Sequence, residues 1–80
     1  MKFIRKNALK YMNNQELAGI IKKRREELGI SQKDLAEMSE IHLRSISKLE
    51  SGESNPTLEL LNQIAEILGL ELNIKVKEIK

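Results

Sequence analysis

Eighty residues with no cysteine and a formal charge of +2 allow one small domain and exclude disulfide staples and thiolate metal centres. That size leaves little room for the deep clefts most enzymes use. With a single histidine and no glycine-rich phosphate loop, neither catalysis nor a cofactor or metal site is expected. A chain of about 80 residues without covalent staples commonly gains stability by association, so a homodimer is expected.

No apolar run approaches the roughly 20 residues of a membrane span. Charges at Lys2, Arg5, Lys6 and Lys10 interrupt the apolar stretch a signal peptide needs, which favours a cytoplasmic location with no membrane partner. Charge is segregated along the chain. Residues 1–14 form a basic N-terminal segment with no acidic group. Residues 15–69 carry Lys22, Lys23, Arg24, Arg25, Lys33, Arg44 and Lys48 against a larger number of acids, and residues 70–80 are nearly balanced. Affinity for a polyanion must therefore come from where the cations sit, not from bulk basicity.

The N-terminal segment mixes Phe3, Ile4, Leu9, Tyr11 and Met12 with its charges. Its pattern suits either a short element packed on a dimer or an arm following a ligand. From Asn14 to Leu28 the residues Leu17, Ile20, Ile21 and Leu28 recur at helical spacing, with Asn13 or Asn14 as a cap and Gly29 as a terminator. Ser31 starts a second helix, with Asp34 three residues on completing a capping box and Leu35, Ala36 and Met38 as its apolar stripe. It is expected to end near Ser39 or Glu40. Ile41 then reads as an apolar plug in a tight bend. A third helix from His42 or Leu43 buries Ile46 and Leu49 and ends at Gly52. After the loop GESNP, Thr57 caps a fourth helix with Leu58, Leu61, Ile64, Ala65 and Leu68 on one face, closed by Gly69. The period then changes. Leu70, Leu72, Ile74 and Val76 alternate with polar residues, the repeat of a half-buried strand. A lone strand leaves its backbone unpaired, so pairing with the same segment of a second copy is expected, with those four residues at the dimer interface.

The ordered set Arg25, Leu28 with Gly29, Ser31 with Gln32, Leu35 with Ala36, Ile41, Ile46 with Ser47, Leu49 with Glu50, Gly52, Pro56 with Thr57, Ala65, and Leu68 with Gly69 resembles the lambda-repressor-like helix-turn-helix family, the Xre class, over residues 15–69. Glu40 stands where such proteins usually place glycine, and His42 where they often place a serine or threonine cap. The resemblance implies a mainly α, four- to five-helix DNA-binding domain whose third helix enters the major groove of palindromic operator DNA. With Ile46 and Leu49 turned inward, Leu43, Arg44, Ser47 and Lys48 face outward as base contacts. Arg44 suits guanine O6 and N7, and Leu43 a thymine methyl. Gln32 is an implied phosphate contact; Ser54, Asn55 and Thr57 are placed for the same role, with plain turn formation as the other reading, and Ser31 either joins them or only caps its helix. His42 is placed with these, although for His42 and Ser47 local capping is the other reading. The resemblance also pairs Arg25 with Glu50 as a structural ion pair.

The strand after Gly69 is similar to the tail of HipB-type antitoxins. That likeness implies a repressor of its own operon with a HipA-like kinase toxin as partner, acting at the nucleoid. A stand-alone phage or mobile-element repressor is the alternative, and a protein-interaction module without DNA binding is a third.

Overall fold

A computed structural model of the chain describes residues 12–73. Among them are four helices: α1 (Asn14–Glu27), α2 (Gln32–Ser39), α3 (Leu43–Ser51) and α4 (Leu58–Leu68). Helix α3 packs on both α1 and α2, and α4 closes the other side against α2 and α1.

The helix starts follow from local chemistry. Asn13 accepts a hydrogen bond from the Glu16 N–H at 2.8 Å, and Glu16 returns one from the Asn13 N–H at 3.0 Å. Ser31 and Asp34 make the same reciprocal pair, at 2.9 Å each way. Thr57 accepts from the Leu60 N–H at 3.1 Å. Each cap satisfies donors that a helix start leaves without intrahelical partners. Helix α3 differs: His42 occupies its N-cap with no side-chain hydrogen bond there, so local capping does not account for this residue.

Two terminators position the reading unit. Glu40 closes α2 in the left-handed conformation at φ 60°, so the bend keeps the geometry that glycine would give it, with a side chain attached. The chain re-enters through the Ile41 N–H, which donates to the Ala36 carbonyl at 3.0 Å. Ile41 itself packs half-buried against the core, as a plug should. Gly52 ends α3 at φ 81°, and a β-carbon there would strike the Gln15 side chain, which reaches over to the Ser51 carbonyl at 3.4 Å. Glycine takes this conformation without strain, and another residue would also have to displace the exposed Gln15 side chain.

The core joins Ile21, Leu35, Ala36, Ile46, Leu49, Ile64 and Leu68. Leu35, Ile46, Ile64 and Leu68 are sealed from solvent, each contributing about 2 kcal/mol of burial free energy.

Several residues expected inside lie outside. Ile20 and Leu28 are each 42% exposed, because α1 buries the stripe Ala18, Ile21 and Arg25. Ile20 sits about 100° round the helix from Ile21. Leu28 caps α1 beyond its last helical residue, where the chain turns away. Met38 is 54% exposed, the small Ser39 holding the inner position and donating to the Leu35 carbonyl at 2.6 Å. Leu58, at the first position of α4, is 61% exposed.

Residues 70–73 adopt no strand, and no strand occurs among the described residues. Leu70 packs half-buried against the core and its N–H donates to the Ala65 carbonyl at 2.9 Å, which closes α4. Leu72 is 43% exposed. Ile74 and Val76, and residues 1–11 of the basic segment, lie outside the described residues, so strand pairing and the role of that segment stay as expectations.

Candidate nucleic-acid interface

The outward side of α3 begins at its first turn. Leu43 is 45% exposed, and Arg44 and Lys48 are exposed one turn apart, while Ile46 and Leu49 fill the core beneath. Ser47 lies between them, half-buried. Helical periodicity dictates this division, since residues 43, 44, 47 and 48 share one face and 46 and 49 the other.

That face is braced from behind. Arg25 and Glu50 form a two-pronged ion pair, Nε to Oε2 at 2.7 Å and Nη2 to Oε1 at 3.0 Å, with side chains only 10% and 2% exposed. The remaining Arg25 prong, Nη1, donates to the Ile30 carbonyl at 2.8 Å. One guanidinium thereby ties α1, the entry to α2 and the end of α3 together. Hydrogen bonding to Glu50 holds the guanidinium above its already strongly basic value, against the opposing effect of burial.

Glu50 Oε1 also accepts from Gln32 Nε2 at 3.0 Å, and Gln32 Oε1 accepts from Ser47 Oγ at 2.9 Å. The start of α2 is thus fixed against the middle of α3. Among the described residues, every buried side-chain nitrogen and oxygen has a partner.

The other expected contact residues divide into two groups. Ser31 and Thr57 cap helices while staying exposed, and His42 is exposed at the bend. Ser54 is half-buried in the loop after α3, and exposed Asn55 accepts from Asn14 Nδ2 at 3.1 Å, which couples that loop to the start of α1. Arg24 donates from Nε to the Leu68 carbonyl at 2.8 Å and pairs with Glu27 at 3.4 Å. No periodicity marks this contact. Only a cation opposite a helix C-terminus hints at it.

No cluster of three or more histidine, cysteine or acidic side chains suited to a metal occurs among the described residues, and none of the described helices is long and apolar enough to cross a membrane.

Two short helices at a left-handed bend, the second presenting cations and locked from behind by a buried ion pair, define a helix-turn-helix unit. The HTH_3 helix-turn-helix family model matches residues 21–74, and the chain belongs to that family, within the lambda-repressor-like Xre class. An uncharacterized HTH-type transcriptional regulator of Haemophilus influenzae is 39% identical over 56 residues, 70% of this chain and 57% of its own length. Another from Methanothermobacter thermautotrophicus is 40% identical over 52 residues, 65% of this chain and 75% of its own. The match thus spans little more than half of the Haemophilus relative. Among solved structures, a complex of a HipB variant with an O2 20mer superposes with a TM-score of 0.72 at 28% identity, over 86% of this chain and 96% of that one. A HipB complex with an O4 20mer has the same TM-score of 0.72 and covers 97% of its chain.

Proposed function

We propose that this chain is a sequence-specific reader of double-stranded DNA that represses transcription as a homodimer on a palindromic operator. The single observation that carries the reading is the exposed face of α3, with Leu43, Arg44 and Lys48 outward on a helix whose C-terminal end is pinned by the pair of Arg25 and Glu50. Rigid placement matters because base readout requires side chains held in register with base edges.

In this reading Leu43, Arg44, Ser47 and Lys48 contact bases, while Ser31, Gln32, His42, Ser54, Asn55 and Thr57 hold phosphates. Gln32 keeps one amide N–H beyond its bond to Glu50. Asn55, whose oxygen is engaged by Asn14, would use its amide N–H groups. On dimerisation the 70–80 segments of two copies take up strand pairing that residues 70–73 of the single chain do not show, and set the two α3 helices about 34 Å apart, one turn of DNA.

The HipB structures, similar across nearly their whole length, favour the antitoxin of a HipA/HipB-like operon that regulates its own promoter, with a HipA-like kinase as toxin partner. The curated relatives, named as transcriptional regulators, favour the second reading, a stand-alone repressor.

Binding to inverted-repeat duplexes, followed by fluorescence anisotropy at several salt concentrations, tests the DNA reading. Selective, salt-dependent binding is expected, and Arg44→Ala should relax preference at one position per half-site by about 1–3 kcal/mol. Unchanged preference in that variant removes Arg44 from the reading set. Absence of salt-dependent binding leaves a protein-interaction module. Co-purification with the product of an adjacent kinase gene separates antitoxin from stand-alone repressor.

A further inference from the structure

The hydrogen bonds running from Arg25 through Glu50 and Gln32 to Ser47 have a direction as well as a geometry. Glu50, paired with a guanidinium, is a carboxylate and can only accept. Gln32 must therefore turn its NH2 group toward Glu50 Oε1, 3.0 Å away, since the flipped amide would set oxygen against oxygen. That leaves the Gln32 oxygen facing Ser47 Oγ at 2.9 Å, and only the serine proton can join two acceptors. Ser47 commits its one proton inward. What it offers on the outer side of α3 is lone pairs alone.

A serine hydroxyl in the major groove ordinarily reads a donor or an acceptor, because it rotates to suit. Here the donor half is removed. We propose that Ser47 is an acceptor-only reader that selects the amino-bearing bases adenine and cytosine over the keto bases guanine and thymine on the strand it faces, with Gln32 as the positioning residue that fixes this polarity. Adenine N6 and cytosine N4 are the groove donors that meet its lone pairs. The O6 of guanine or O4 of thymine would face it acceptor to acceptor. The proposal rests on the DNA-reading function above. It adds which chemical half of the base alphabet one position discriminates, and which residue enforces that choice.

The test is selection by the full-length chain from a library of inverted-repeat duplexes, run for the natural sequence, Ser47→Ala and Gln32→Met. The natural chain should favour A and C over G and T by about fivefold at one position per half-site, the worth of one hydrogen bond. Ser47→Ala should flatten that position alone. In Gln32→Met the hydroxyl recovers its proton, so keto bases become acceptable there and the preference falls below about twofold. Should Gln32→Met fold poorly by circular dichroism, the natural chain gives the answer without it: replacing adenine at that position by purine, which lacks the amino group, should cost about fivefold in affinity. A Ser47-dependent preference for G or T, a folded Gln32→Met that selects like the natural chain, or unchanged affinity for the purine duplex overturns the proposal while the DNA-reading function stands. Failure of the natural chain to enrich any sequence overturns both.

Discussion

Arg25 and Glu50, 25 residues apart in sequence, meet through two parallel hydrogen bonds of 2.7 and 3.0 Å in a site nearly closed to water. Bringing both charges out of water is costly, and their attraction repays the cost only because each remaining polar atom also finds a partner, Ile30 for the guanidinium and Gln32 for the carboxylate. Removing one member leaves the other charged and unpaired. Arg25→Met or Glu50→Leu alone should destabilise by about 3–5 kcal/mol, whereas the double variant should lose less than either. Equilibrium urea unfolding of the three variants measures this. A double variant as unstable as the sum of the singles would show two independent contributions and no pair.

Arg24 stands one residue before that pair but faces another helix end. Its bond to the Leu68 carbonyl satisfies an acceptor that the last turn of α4 leaves open, and places a cation at the negative end of that helix. With its side chain 37% exposed, solvent screens much of the charge, so Arg24→Met should cost only about 1 kcal/mol. Lys22→Met, on the exposed face of the same helix, should stay within about 0.5 kcal/mol of the natural chain. Equal losses for the two would remove the specific role of the Leu68 contact.

The caps at Ser31 with Asp34 and at Thr57 were legible because each has a local signature, and Asn13 was one of two candidates for α1, whereas the pairing of Arg25 with Glu50 came from the family resemblance. The bend was legible too, Glu40 taking the left-handed conformation despite its side chain. What spacing misjudged was the width and aim of each buried face. Ile20 and Leu58 recur at helical intervals yet stay outside, since a helix in so small a domain buries a narrow stripe and its neighbours decide which one. Ala18 and Ser39 lie inside because close helix contacts favour small residues, a property of the packed assembly. The links from Gln32 to Ser47 and from Arg24 to Leu68 join separate helices at sequence distances no period encodes.

Asp34 supplies a pH signature for the start of α2. Bonds from the backbone N–H of Ser31 and then from its side chain hold the Asp34 carboxyl below the usual carboxylate range. A folded-state value below the unfolded one means that its stabilising effect is complete above the unfolded value, near about pH 4, and is lost as pH falls through the folded value. Asp34→Asn keeps an acceptor for the Ser31 N–H but removes the charge. The natural chain should therefore be the more stable of the two near neutrality, with the difference closing below about pH 4. A difference that persists unchanged into acid would mean that charge at this cap does not matter.

Leu70 marks where the DNA-reading domain ends and the expected dimer strand begins. Its N–H closes α4 on the Ala65 carbonyl and its side chain packs on the core, whereas Leu72 points substantially into solvent. A chain ending at Leu70 should keep its helical circular dichroism and become monomeric in sedimentation. Affinity for a palindromic duplex should fall by about 100-fold or more, because two linked half-site contacts become independent events. Affinity for a single half-site should change little. A truncated chain that still sediments as a dimer would move the interface elsewhere, and the exposed apolar side chains of Ile20 and Leu58 are the first places to test by substitution with a charge.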